Sequence, residues 1–348
     1  MFSQDNSFQT SIMKYTRLRY LDIVKGISIL SITFIHYEDG LLNDYANCYI
    51  SMFMIAMFYF VAGWIDAMNE RNLTLKEFCL KRWQQLGKPY LYWTIIILAF
   101  DSVLYAIGYY DTYFMAREIY KSVILRGIGT LWFLPALFGG EILWQMVKRK
   151  PWAIVLAVIV SYTYQHFYYM FFSNVEGHMM QIIEAPFRVI CSVTTAYILI
   201  AVGYYSYKLM NRVKLKRWGN LSVGALLFAV SFVTLQVSAF PHCQSIIECI
   251  ALVLLFKSLP DGKLWNYFDY WGRNSLALMV THYSITLVLS KIVVTKMFHV
   301  EFTGWVTIYA FVVSMVISYF FALALNRYFP YLIARHMKYR HIDSNIVT

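Results

Sequence analysis

The stretch Arg19–Gly40 reads RYLDIVKGISILSITFIHYEDG. It has the length and apolarity of a membrane span, yet it carries Asp22, Lys25 and His36. Ionisable groups at membrane depth are costly and by default mark a site. Lys25 and His36 are eleven residues apart. On a helix that returns to within about 20° of the same face, roughly 16 Å further along the axis. One stripe therefore carries a cation near one membrane surface and an imidazole deeper in. Asp22 shares that stripe, with Ser28 and Thr33 at its edges.

Working outward, apolar runs of this kind recur along the whole chain. Of 348 residues, 59% are hydrophobic and only 14% charged, whereas a soluble domain needs roughly a quarter charged. The runs have about the length that crosses a bilayer. The fold class expected is all-α: a polytopic membrane bundle of about ten helices, over 21–37, 50–67, 89–108, 130–147, 152–172, 182–206, 221–239, 244–259, 275–295 and 304–325. No repeat or linker divides it, so residues 1–348 read as one membrane-embedded domain with polar tails at 1–20 and 327–348. No small-residue cleavage site follows the first apolar segment, so it is expected to stay as a span.

The net charge of +11 does not point to nucleic acid, because the basic residues fall in clusters between apolar runs. With ten spans, about 23 Lys and Arg collect on one side and about five on the other. The crowded side is cytoplasmic, which places both termini inside a plasma-membrane protein. The outer side carries a short interfacial helix within 111–128, bearing Arg117, Lys121 and Arg126, and a polar loop at 173–181. The five cysteines show no metal spacing, and no metal is expected.

Several residues invite chemistry, each with a plain alternative. His36 is either a helix-packing residue or a general base, with Asp39 one turn on to orient it as carboxylates do in triads. No nucleophile motif accompanies it, which leaves a hydrolase triad unsupported. Lys25, Arg82 and Lys88 either mark the cytoplasmic side or converge on a phosphate-bearing ligand. Glu141 lies in an apolar run beside Gly139 and Gly140, where an unpaired carboxylate would be expensive. His282 poses the same choice between packing and site. A proton relay through His36 and Glu141 would suit a proton-coupled transporter or a flippase of a glycan precursor. Such folds show inverted repeats and broken helices in pairs, and neither is visible.

Five motifs in order resemble acyltransferase family 3, a family of integral membrane acyltransferases. They are Lys25 and His36 in LDIVKGISILSITFIH, then MFYFVAGW (57–64), KRWQQLGKPY (81–90), WFLPALFGGE (132–141) and NSLALMVTHYSI (274–285). Lysine stands at 25 where the family more often has arginine, which loses the bidentate fork. Ala62 stands where a serine is usual. The resemblance implies an O-acyltransferase without a permanently bound cofactor, taking an acyl group, acetyl above all, from acyl-CoA at the cytoplasmic face. The acceptor it implies is a hydroxyl of a cell-surface glycan or its lipid-linked saccharide precursor. Lys25, Arg82 and Lys88 would hold the CoA phosphates, and His36, Asp39 and Glu141 would serve the reaction.

Overall fold

The computed structural model describes residues 18–69, 73–172, 177–234, 242–260 and 262–335. These form an all-helical bundle with no strand among them. Helix α1 (Arg19–Tyr37) is followed by α2 (Asp44–Met54) and α3 (Ala56–Met68), one apolar rod interrupted at Ile55. Helix α4 (Leu75–Arg82) passes through a π turn, Trp83–Gly87, into α5 (Lys88–Ala106). Then come α6 (Thr112–Val123), α7 (Phe133–Val147), α8 (Ala153–Phe172) and the 36-residue α9 (His178–Val213). Helices α10 (Arg217–Thr234), α11 (Cys243–Ser258) and α12 (Lys263–Arg273) lead to α13 (Ser275–Thr281). A π turn at His282–Leu287 joins α13 to α14 (Val288–Ile292), and α15 (Trp305–Tyr328) ends the bundle.

Every apolar run expected to be a span is helical over most of its length. Among the described residues, five segments are long and apolar enough to cross a membrane: 44–68, 75–106, 178–213, 275–297 and 305–328. In α1 the ionisable residues dilute the apolar run, and α7 is short. The polar tails lie largely outside the described residues, as do positions 173–176 of the polar loop. The rest of that loop is not a loop, because α9 already begins at His178.

Two helix pairs make the frame. α1 crosses α12 where Gly26 meets Gly272: a Cβ on Gly26 would stand 1.8 Å from the Phe268 carbonyl oxygen. α3 crosses α9 likewise, and a Cβ on Gly63 would stand 1.9 Å from the Ile200 carbonyl oxygen. Backbones that touch leave no room for any side chain, which is how small residues drive helix association in lipid. The glycine of MFYFVAGW is thus a packing residue. Helix α12 falls where the sequence reading had only a basic loop. It packs through Trp271 and Gly272, which are buried, while Leu264 and Tyr267 nearer its start are exposed. Around the crossings lie Trp64, Trp144, Phe60 and Tyr59, all but fully buried.

Helix α6 corrects another expectation. It does not lie flat at an interface: the Tyr90 hydroxyl, near the start of α5, donates to the Ser122 carbonyl in the last turn of α6 at 3.0 Å. So α6 runs back alongside α5, into the bundle. On its other flank the Tyr120 hydroxyl donates to the Ile182 carbonyl at 2.8 Å. Its buried Glu118 is matched by Lys121 at 2.8 Å and Arg117 at 3.0 Å. Internal pairing lets so polar a helix sit among apolar neighbours, a placement tolerated where it lines a cavity. At the other end, Thr74 and Glu77 cap α4 reciprocally.

Candidate active site

The last turn of α1 presents His36, half-buried, with Nδ1 2.6 Å from the Ile32 carbonyl oxygen. A carbonyl only accepts, so Nδ1 carries the proton and donates it, and Nε2 keeps its lone pair. His282 repeats the device across the interface. Its Nδ1 donates to the Leu278 carbonyl at 2.8 Å, and its buried Nε2 has no partner among the described residues. The two imidazoles stand edge to face with centroids 5.3 Å apart. The ring of Tyr283 stands edge to face with His36 at 4.8 Å.

The π turn explains why two consecutive residues reach one ring. Its wider i→i+5 ladder reduces the angle between neighbouring side chains, and such turns cluster at functional sites. The segment 124–132 presses onto it. Gly129 has φ +53, and a Cβ there would meet Ser284 Oγ and the Tyr283 ring at 2.6 Å. The Thr130 hydroxyl donates to the Met279 carbonyl at 2.6 Å. One residue beyond His36, the Tyr37 hydroxyl donates to Ser314 Oγ at 2.6 Å and Thr286 Oγ1 at 3.2 Å, pinning the end of α1. Tyr283 and Ser284 also line a cavity of about 350 Å³, walled by α6, the 126–129 segment and the π turn.

Asp39 does not orient His36. It lies beyond the helix end, exposed, and the Ile32 carbonyl already holds Nδ1. The reason is geometric: α1 stops at Tyr37, so the spacing of one helical turn from His36 to Asp39 no longer applies. Glu141 is not at the histidines either. It sits eight residues into α7, about 12 Å from the helix end that meets the π turn. There its carboxylate pairs with Arg82 on α4, whose other nitrogen donates to Gln85 Oε1 at 2.8 Å. Gly140 beside it does allow the expected close approach, since a Cβ would meet Ala196 Cβ at 2.6 Å.

The three cations do not form one cluster of free charges. Lys25 is paired with Asp22 at 2.7 Å, and Arg82 with Glu141. Lys88 is exposed at the start of α5, with no ion pair among the described residues. Ser28 and Thr33 turn back on their own helix, each hydroxyl donating to the carbonyl four residues earlier at 2.9 Å. Among the described residues no group of three metal-binding side chains occurs.

The acyltransferase-domain family matches residues 18–327, nearly the whole chain and both halves of the histidine pair. The chain belongs to acyltransferase family 3. No curated protein and no solved structure matches it. As a family 3 enzyme it is an acyltransferase of the O-acyl type, and its apolar helices make it a membrane protein.

Sequence reasoning singled out His282 but not its meeting with His36, which depends on a bulge that no short pattern announces. It missed the second buried pair of the α3–α7 side, where Lys148 reaches Asp66 at 2.8 Å and Gln145 donates to the same carboxylate at 3.0 Å. It also missed the inward turn of 124–132. The signal was present: Gly127 and Gly129 around Ile128 both take positive φ, and such glycines mark a chain that must turn tightly.

Proposed function

We propose that this acyltransferase moves an acetyl group from acetyl-CoA, bound at the cytoplasmic face, to a hydroxyl of a cell-surface glycan or its lipid-linked precursor. The single observation that carries this reading is the His36 ring, whose Nδ1–H is held by Ile32 so that Nε2 keeps its lone pair, and which packs on Tyr283, a residue that lines a cavity. Nε2 takes the proton of the acceptor hydroxyl, the oxygen attacks the thioester carbonyl, and an acyl–oxygen bond forms as the carbon–sulfur bond breaks. The imidazolium then returns the proton to the CoA thiolate. A positioned base of this kind is worth about 10²–10⁴ in rate.

The pantetheine arm would run along α1, with Lys25 and Lys88 toward the CoA phosphates and Arg82 held beside them by Glu141. Ten crossings with both termini in the cytoplasm and the plasma membrane as location complete the reading, supported by the loop charge bias. Reporter fusions at the C-terminus and at Asn174 check the topology, and an external C-terminus would overturn the donor side.

The decisive test compares His36→Ala and His36→Gln for glycan acylation in membranes holding equal amounts of each protein. Glutamine keeps a hydrogen-bonding side chain but cannot accept the proton. Both variants are expected near background while still binding acetyl-CoA. Near-normal transfer by His36→Gln would return the residue to a packing role.

A further inference from the structure

We infer that the cavity lined by Tyr283 and Ser284 takes an acceptor saccharide bearing an anionic group, a carboxylate or a phosphate, with Arg126 as its anchor. This rests on the acyltransfer reading for the word acceptor and stands on separate geometry for the anion.

Arg126 lies in the inward-turning segment, between Leu125 at φ +62 and Gly127 at φ +69. That conformation directs it to the shared wall of two adjoining cavities, of about 350 and 360 Å³, each of which it lines. It makes no ion pair and no hydrogen bond among the described residues. The face of its guanidinium rests 5.8 Å over the Trp132 ring. The edge, which carries five N–H donors in a fork, is left for a ligand. Oxyanions of carboxylate or phosphate geometry fit that fork.

The surroundings agree in sign. The two cavities are lined by five cations: Arg126 together with Arg117, Lys121, Arg188 and Lys291. Three carboxylates oppose them, Asp101, Glu118 and Glu184. Glu118 is taken by Arg117 and Lys121, and Glu184 by Arg188 at 2.6 Å. Among the described residues Lys291 has only the Phe302 ring, 5.5 Å away. Two features make the ligand a saccharide rather than a bare ion. Asp101 keeps a buried oxygen without a donor among the described residues, an acceptor for a sugar hydroxyl. Tyr110 and Phe114 stack at 3.7 Å in the same wall, an apolar platform for a pyranose face. Tyr283, whose ring packs on His36 at 4.8 Å, lines the cavity as well and links the anion site to the histidine.

The experiment uses the full chain in neutral phosphatidylcholine nanodiscs and saturation-transfer NMR with D-glucuronate, glucose 1-phosphate and glucose. The two anionic sugars are expected to bind, one separating carboxylate from phosphate chemistry, and glucose to bind far more weakly. Arg126→Gln should weaken the anions at least about tenfold, as loss of one charge-assisted contact does, and Arg126→Lys should restore part of it. Lys291→Gln, remote from the strained segment, should weaken them several-fold. Equal binding of all three sugars, or anion binding unchanged in either glutamine variant, overturns the inference. Acetyl-CoA binding by each variant shows that it is folded. Normal transfer by His36→Gln with anion binding intact would remove His36 as the base and leave the anion site. Lost transfer with Arg126-independent anion binding would do the reverse.

Discussion

Arg82 and Arg126 are both partly buried arginines, and they are treated oppositely. Arg82 is matched by the Glu141 carboxylate and by Gln85. Arg126 has an aromatic face beneath it and no acceptor at its edge among the described residues. At the end expected to be cytoplasmic, Lys25 has Asp22, Arg82 has Glu141 and Lys148 has Asp66. At the histidine end, imidazole nitrogens and a guanidinium edge are left over. A charge neutralised by its neighbour holds helices together and offers a ligand little. A polar group left over inside a bundle is the one that awaits a partner.

That comparison can be broken at several places. The largest expected effect after His36 is at His282. His282→Asn keeps an N–H for the Leu278 carbonyl but removes the buried Nε2, and acyl transfer should fall by about 10²-fold with acetyl-CoA affinity unchanged. Unaltered transfer would mean that His36 acts without its neighbour.

Glu141→Gln strands the Arg82 charge. Breaking a buried pair by one partner costs about 3 kcal/mol or more, read as a lowered unfolding midpoint in detergent. The double variant Glu141→Gln, Arg82→Gln should recover part of that loss. Transfer per folded molecule should stay within a few-fold of normal in the single variant. A collapse of transfer without a loss of stability would put Glu141 back among the reacting groups.

Smaller effects should rank the cations by how free they are. Lys88→Ala, which removes an exposed and unpaired charge, should weaken acetyl-CoA binding by about 1 kcal/mol. Lys25→Ala should do less to affinity, because Asp22 already neutralises it at 2.7 Å. A titration that shows Lys25 as the larger contributor would mean that the Asp22 pair opens for the donor. The smallest effect belongs to Asp39→Asn. An exposed residue off the His36 ring should change stability by no more than about 0.5 kcal/mol and leave transfer as it was.

Much of this was legible in the chain itself. Apolar runs of bilayer length decide that the backbone satisfies itself as helices, because no water is present to do it otherwise. The stripe from Lys25 to His36 needed only the helical repeat, and the order of five short motifs carried the family. The pairing of charges was not legible, since partners such as Arg82 and Glu141 are 59 residues apart and meet only when α4 packs on α7. Nor was the site's second half. His282 reaches His36 through a π turn, and 124–132 turns inward because α6 follows α5 back into the bundle. Spacing along one helix is a local property written in the sequence. Which lone pairs are left unpartnered depends on every neighbour that packing brings in, and only the tertiary structure decides it.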